Sequence, residues 1–213
     1  SLGRIAFQMP CAILLAVALN ELRFKKSKKA IQTIVTFPHF ISWVVLSGML
    51  INLFGSTGVI NQILNTMGLG SVAPITSADS FRGFIWLSGI WKEVGWDSII
   101  YLAAITSIDP GLYEAAAVDG VGRFKKIWYI TLPCIAGTIA IMFILSISGL
   151  MQGNFDQIMN LKNSLNASRS EIIDTYVYNI GIRSGRYSYA TAAGLFQSVV
   201  SMTLLLGSNF VSK

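Results

Sequence analysis

The chain has 213 residues, 53% of them hydrophobic and 12% charged, where a soluble domain carries roughly a quarter charged residues. A mean hydropathy of +0.60 excludes intrinsic disorder and a soluble domain that covers its surface with polar groups. The net charge of +6 would point to nucleic acid only if the cations gathered on one binding face.

A helix that crosses a bilayer needs about 20 mostly apolar residues. Five segments approach that length, at residues 5–19, 34–54, 84–105, 135–151 and 189–210. None alternates with period two, as a barrel strand does. The predicted fold is all-α and polytopic, with five spanning helices in one transmembrane domain over residues 1–213. The first segment lacks a basic leader and a small-residue cleavage site, and it ends in a basic cluster, so it reads as a span and not as a secretory signal.

The loop after that span holds Arg23, Lys25, Lys26, Lys28 and Lys29, which places it on the cytoplasmic side. Alternation then puts residues 55–82 outside, 106–133 inside, 152–188 outside and Lys213 inside. Arg123, Lys125 and Lys126 agree with an inner third loop. Lys162, Arg169, Arg183 and Arg186 run against the bias, but over a longer loop. The positive charge therefore orients the chain, and no nucleic-acid partner is expected. Five spans leave Ser1 outside, so a cytoplasmic start needs one more helix before it. Ser1 in place of an initiator Met points the same way, to a chain expected to be a fragment.

Cys11 and Cys134 fall in apolar segments and read as small apolar residues. His39 has no Cys or carboxylate at ligand spacing in sequence, so no metal site is expected. No GxxxxGK[ST] phosphate loop occurs, nor any Ser/His/Asp or Cys/His arrangement for nucleophilic catalysis.

The inner loop at 106–133 is the most informative stretch. Asp109 suits an N-cap, Pro110 the first helical position, and Gly120 a left-handed stop. A helix over 110–119 follows, about 15 Å long and too short to span. Ala115, Ala116 and Ala117 make it slim, and Glu114 and Asp119 charge its two ends. It reads either as a membrane-parallel connector or as a peg for a cytoplasmic partner. The basic-aromatic stretch Arg123 to Tyr129 leads back to the membrane surface.

Within the third span, Lys92, Glu93 and Asp97 are charged, with Trp91, Trp96 and Tyr101 beside them. Intramembrane charges are functional candidates. They serve either a solute path, where aromatic faces and hydrogen-bonding groups suit a sugar, or an internal ion pair that only assembles helices. Ala190, Gly194 and Ser198 form a small-residue stripe on the last span, suited to close helix packing.

The segment Glu114-Ala115-Ala116, three residues, Gly120, nine residues, Ile130-Thr131-Leu132-Pro133 resembles the EAA loop of the permease subunits of bacterial binding-protein-dependent ABC importers. Leu19-Asn20-Glu21-Leu22-Arg23, Phe37-Pro38-His39-Phe40-Ile41-Ser42-Trp43, Ile90-Trp91-Lys92-Glu93-Val94-Gly95-Trp96 and Tyr187-Ser188-Tyr189-Ala190-Thr191-Ala192 are similar to the carbohydrate branch, the LplB-like polysaccharide and oligosaccharide permeases.

The resemblance implies the six-span type I permease fold with its first helix absent here, in a bacterial cytoplasmic membrane. It implies a non-enzymatic chain with no cofactor of its own, ATP and Mg being held by separate cytoplasmic ATPase subunits. Tyr113, Glu114, Ala115, Ala116, Asp119 and Gly120 are then the coupling contact. Trp91, Glu93, Trp96, Gln152 and Asn154 are the candidate solute-path residues. The implied partners are a second, related permease subunit (a heterodimer favoured), an extracytoplasmic solute-binding protein and a carbohydrate solute. An ABC permease for a non-sugar solute, or an ion-coupled secondary transporter using Lys92, Glu93 and Asp97, stand as alternatives.

Overall fold

A computed structural model describes residues 2–22, 24–151 and 153–211. Arg23 and the predicted path residue Gln152 lie outside the described residues. Among the described residues the chain is helical, with no strand.

Helix α1 runs Leu2–Glu21. Helix α2, Lys25–Thr36, is followed by a 3-10 turn at Phe37–Phe40 and then by α3, Trp43–Phe54. The single span predicted at 34–54 is therefore two helices with a break. Ser42 stops helix continuity with extended backbone (φ −63°, ψ 148°), and its side chain accepts from Val45 N at 3.3 Å as an N-cap. Pro38 removes a donor just ahead of it. Hydropathy counts apolar residues and does not register a cap, so the run looked continuous. The apolar stretch instead goes on through α4, Val59–Thr66.

Helix α5, Ala78–Thr106, has 29 residues, about 43 Å at the usual rise. Next come α6, Pro110–Val118, and α7, Arg123–Lys126. A π-helical turn at Ile127–Thr131 leads to α8, Leu132–Cys134, and α9, Ala136–Ser148. The helical path from Arg123–Cys134 into Ala136–Ser148 bends by 62° next to Pro133. The short helices α10, Phe155–Leu161, α11, Ala167–Ser170, and α12, Ile173–Tyr178, precede a second π turn, Asn179–Arg183, and the long α13, Tyr187–Val211.

Among the described residues, Trp43–Thr66 and Tyr187–Phe210 are long and apolar enough to cross a membrane, and the bent pair would be a third if it forms one span. Helix α5 is long enough, but Asp79, Arg82, Lys92, Glu93 and Asp97 lower its hydropathy. The apolar part of α1 is Ile5–Glu21.

The chain forms two compact units, and the boundary falls within α5. Unit 1 comprises Ile41–Gly89 and Ser148–Gly207. Its core joins Leu46 and Leu50 of α3, Phe81 and Phe84 of α5, and Ile158 and Leu161 of α10, with Ile75. Unit 2 comprises Leu2–Phe40, Ile90–Ile147 and the end of α13. There Ala12, Ala16 and Leu19, one face of α1 by their spacing, pack on Tyr101, Leu102, Ile105 and Ile135. The small alanines admit close contact, which drives association where lipid removes most of the hydrophobic gain. Gly95 allows α5 to meet α2, since a Cβ there would strike the carbonyl of Val35.

Candidate functional site

The loop at 106–133 lies in unit 2 and is built by local chemistry. Asp109 Oδ1 accepts from Gly111 N at 2.9 Å, and Pro110 opens α6. At the other end Gly120 takes φ +72°, a conformation that costs any other L-residue except Asn or Asp appreciably. Gly120 N donates to Ala117 O (3.1 Å) and Val121 N to Ala116 O (2.9 Å). These two bonds form a Schellman stop and satisfy the last carbonyls. The predicted helix over 110–119 is thus Pro110–Val118, with Asp119 as its cap.

The six predicted coupling residues divide into two sets. Glu114, Ala115, Asp119 and Gly120 are exposed. Ala116, at 8% exposure, is buried. Tyr113 turns back on its own loop: its hydroxyl lies 2.9 Å from Thr131 Oγ1, and its carbonyl accepts from Lys126 Nζ at 3.2 Å. Thr131 is itself buried, and Leu132 packs against the unit 2 core. The rear of the loop is therefore an anchor for α6. Three apolar residues that sequence reasoning did not single out, Leu112, Val118 and Phe124, are exposed around it, Val118 to 89%. The signal for them was available, because large apolar side chains in a charged loop have no solvated role.

The second site is a polar cluster on α5, also in unit 2. Lys92 Nζ, on a residue 5% exposed, donates to the carbonyl of His39 (2.6 Å) and to Glu93 Oε1 (3.2 Å). Glu93 Oε2 lies 2.6 Å from His39 Nδ1. The imidazole stacks on the Trp96 indole with centroids 4.3 Å apart and planes 5° from parallel, and Phe40 meets the same indole edge-on. Gln8 Nε2 donates to Asp97 Oδ2. The intramembrane charges thus satisfy one another and the break after α2, as unpaired ones in lipid would be costly. Trp91 and Trp96 remain exposed. Sequence reasoning considered His39 as a metal ligand and set it aside. Its partner Glu93 stands 54 positions away, beyond any local pattern.

Asn154 belongs to unit 1, at the start of α10. Its Nδ2 donates to Gln157 Oε1 (3.0 Å), and the buried Gln157 donates to Ile85 O (2.8 Å) and Ser88 Oγ (3.0 Å). The structure joins Glu93 to Trp96 through His39 and places Asn154 in a separate network. Among the described residues no three His, Cys, Asp or Glu side chains are grouped to hold a metal.

Residues 8–211 match the family described as the inner membrane component of binding-protein-dependent transport systems. The chain belongs to this family. Protein LplB of Bacillus subtilis is 43% identical over 210 residues, which is 98% of this chain and 66% of that protein. The polygalacturonan/rhamnogalacturonan transport system permease protein YteP of Bacillus subtilis is 42% identical over 212 residues, 98% of this chain and 65% of that protein. The chain therefore spans just under two thirds of the length of these relatives. A chain in the crystal structure of a bacterial ABC transporter involved in import of the acidic polysaccharide alginate superposes with a TM-score of 0.93. It is 43% identical, and the match covers 98% of this chain and 73% of that one. The fold of this inner membrane component is that of a type I importer permease.

Proposed function

We propose that this inner membrane component is a permease subunit of an ATP-driven importer that moves a carbohydrate across the bacterial cytoplasmic membrane. It works beside a second, related permease subunit and receives its solute from an extracytoplasmic binding protein. ATP and Mg bind and react on separate cytoplasmic subunits. Membership of a binding-protein-dependent family and the likeness to an alginate-importing transporter support this reading.

The observation that carries the coupling role is the form of α6: a short helix closed at both ends, fastened behind through Tyr113 and Ala116, with Glu114, Ala115 and Val118 left outward. A closed helix passes a displacement on with little loss, because its packed backing resists compression. Closure of the ATPase pair shifts α6, and the anchor at Thr131 and Leu132 carries the shift into the bent α8–α9 path.

The solute path uses Trp91 and Trp96, whose exposed rings suit the C–H faces of sugars, with Asn154 and Gln152 for hydroxyls. Glu93 acts there by holding His39 against Trp96. The engagement of Lys92, Glu93 and Asp97 with internal partners argues against a carboxylate that shuttles protons.

The decisive experiment is Glu114→Lys in the importer reconstituted with its ATPase and binding protein. Uptake is expected to fall by roughly ten- to a hundredfold, the range of a typical coupling energy between sites. Normal ATP-dependent uptake with normal assembly would sink the coupling role. Bulk at Ala116 is a poor test, since the residue is buried and the helix itself would shift. Val118→Arg probes the docking face without that complication.

A further inference from the structure

Unit 1 holds a cavity of about 300 Å³ that neither the coupling helix nor the α5 cluster uses. Three segments wall it: the end of α3 with the turn at residues 55–58, the pair Ile75 and Thr76, and the end of α10 with residues 162–163. All lie in or next to the two loops predicted to face outward. Asn52, Ser56, Thr57, Thr76 and Asn160 line it over the buried side chains of Ile75 and Leu161.

Buried asparagines pin each wall. Asn61 Nδ2 donates to the carbonyls of Gly55 (2.8 Å) and Ser56 (3.4 Å), while its Oδ1 accepts from Val72 N (2.7 Å). Asn166 Nδ2 donates to the carbonyls of Ile75 (2.9 Å) and Leu161 (3.0 Å). The turn itself leaves no room for adjustment, since a Cβ at Gly55 or Gly58 would lie 2.5 Å from the carbonyl oxygen of Ile51 or Leu53. A cavity held this way loses little freedom when it is filled.

The lining fixes the ligand chemistry. Lys162 alone of the lining residues is charged, and its ammonium is paired with Glu171. What remains is hydroxyls and amides around a small apolar floor. Thr76 Oγ1 and Asn160 Nδ2 already donate to the carbonyls of Ala73 (3.2 Å) and Asp156 (2.7 Å), which leaves their oxygens to accept. Asn52, Ser56 and Thr57 bring groups that both donate and accept. A sugar ring offers the complement: hydroxyls at its edge and C–H groups on its faces. An anionic ring would find no free counter-charge in this lining. The volume sits at the small end of the range for ligand pockets and admits one ring.

We propose that this cavity binds one neutral hexopyranose unit of the transported carbohydrate, at residues distinct from the α5 aromatics. The proposal rests on the importer reading for its outward placement.

The test uses the assembled importer in detergent and saturation-transfer NMR, with methyl β-D-glucopyranoside and methyl β-D-glucuronide as probes. Transfer to the neutral glycoside is expected, with less to the glucuronide. Asn52→Trp, which fills the cavity from an exposed wall position, should abolish it, and Asn160→Ala should weaken it. Melting temperatures of both variants check the fold, and Asn160→Ala decides the matter if Asn52→Trp is unstable. Transfer unchanged in both variants overturns the proposal. So does transfer that Trp96→Ala removes and Asn52→Trp does not, or a preference for the glucuronide. Failure of the importer reading looks different: the parent protein would show no ATP-dependent uptake while cavity binding persisted.

Discussion

Lys92 shows how a single residue can be expensive and still retained. Its ammonium sits on a helix that apolar neighbours would otherwise carry through a bilayer, and it is almost fully enclosed. The carbonyl of His39 would lack a helical partner at the break after α2, and Lys92 answers it at 2.6 Å. Glu93 supplies the counter-charge within the same turn and also reaches His39. Removing one member takes a charged partner from the other in a poorly solvated place, which costs more than the pair contributes. Lys92→Met and Glu93→Gln should each lower the melting temperature of the detergent-solubilised complex. The double variant should be less destabilised than the sum of the two, by on the order of 1–3 kcal/mol of coupling. Additive losses would show that the two side chains do not act as one unit.

At the scale of the element, α6 was legible in the sequence because everything that defines it is local. Asp109, Pro110 and Gly120 are start and stop signals that act within one turn, and the helix ends where they place it. The break at Phe37–Phe40 was not legible from hydropathy, since the apolar run continues through it and the Ser42 cap is a single hydroxyl. The burial of Ala116 and the inward bond of Tyr113 depend on Thr131, which follows 18 positions later. The motif therefore marked the candidate coupling residues without separating the exposed from the inward-bonded ones. The left-handed stop offers a test of its own. Gly120→Ala forces a Cβ into φ +72°, at about 1–2 kcal/mol, and should loosen the Schellman bonds and reduce ATP-driven uptake. Gly120→Asn tolerates that conformation and should keep most of it. Equal loss in the two variants would mean that Gly120 is needed for close approach of the partner and not for its backbone angle.

For the whole molecule, the surface is the main evidence of its surroundings. No described residue of α13 between Tyr187 and Phe210 is buried in the chain, yet the helix is long and apolar enough to cross a membrane, so lipid or another subunit must cover its large apolar side chains. The charges then decide which way the helices run. Lys25, Lys26, Lys28 and Lys29 are grouped at the start of α2, and Arg123, Lys125 and Lys126 follow α6. Both groups fit an inner surface, and the proposed coupling face requires α6 to lie there. The proposed sugar site calls for residues 55–58 and 160–163 to face outside, as the alternation of the sequence predicts. These placements stand or fall together, because one chain threads both. With Cys11 and Cys134 replaced by Ser, single cysteines at the exposed positions Val118, Asn65 and Ser184 report on it directly. A membrane-impermeant maleimide applied to intact spheroplasts should label Asn65→Cys and Ser184→Cys at once. It should label Val118→Cys only after permeabilisation. The reverse pattern would invert the chain and remove the coupling helix from the ATPase. Labelling of all three from outside would deny α6 a cytoplasmic position, whatever its motif.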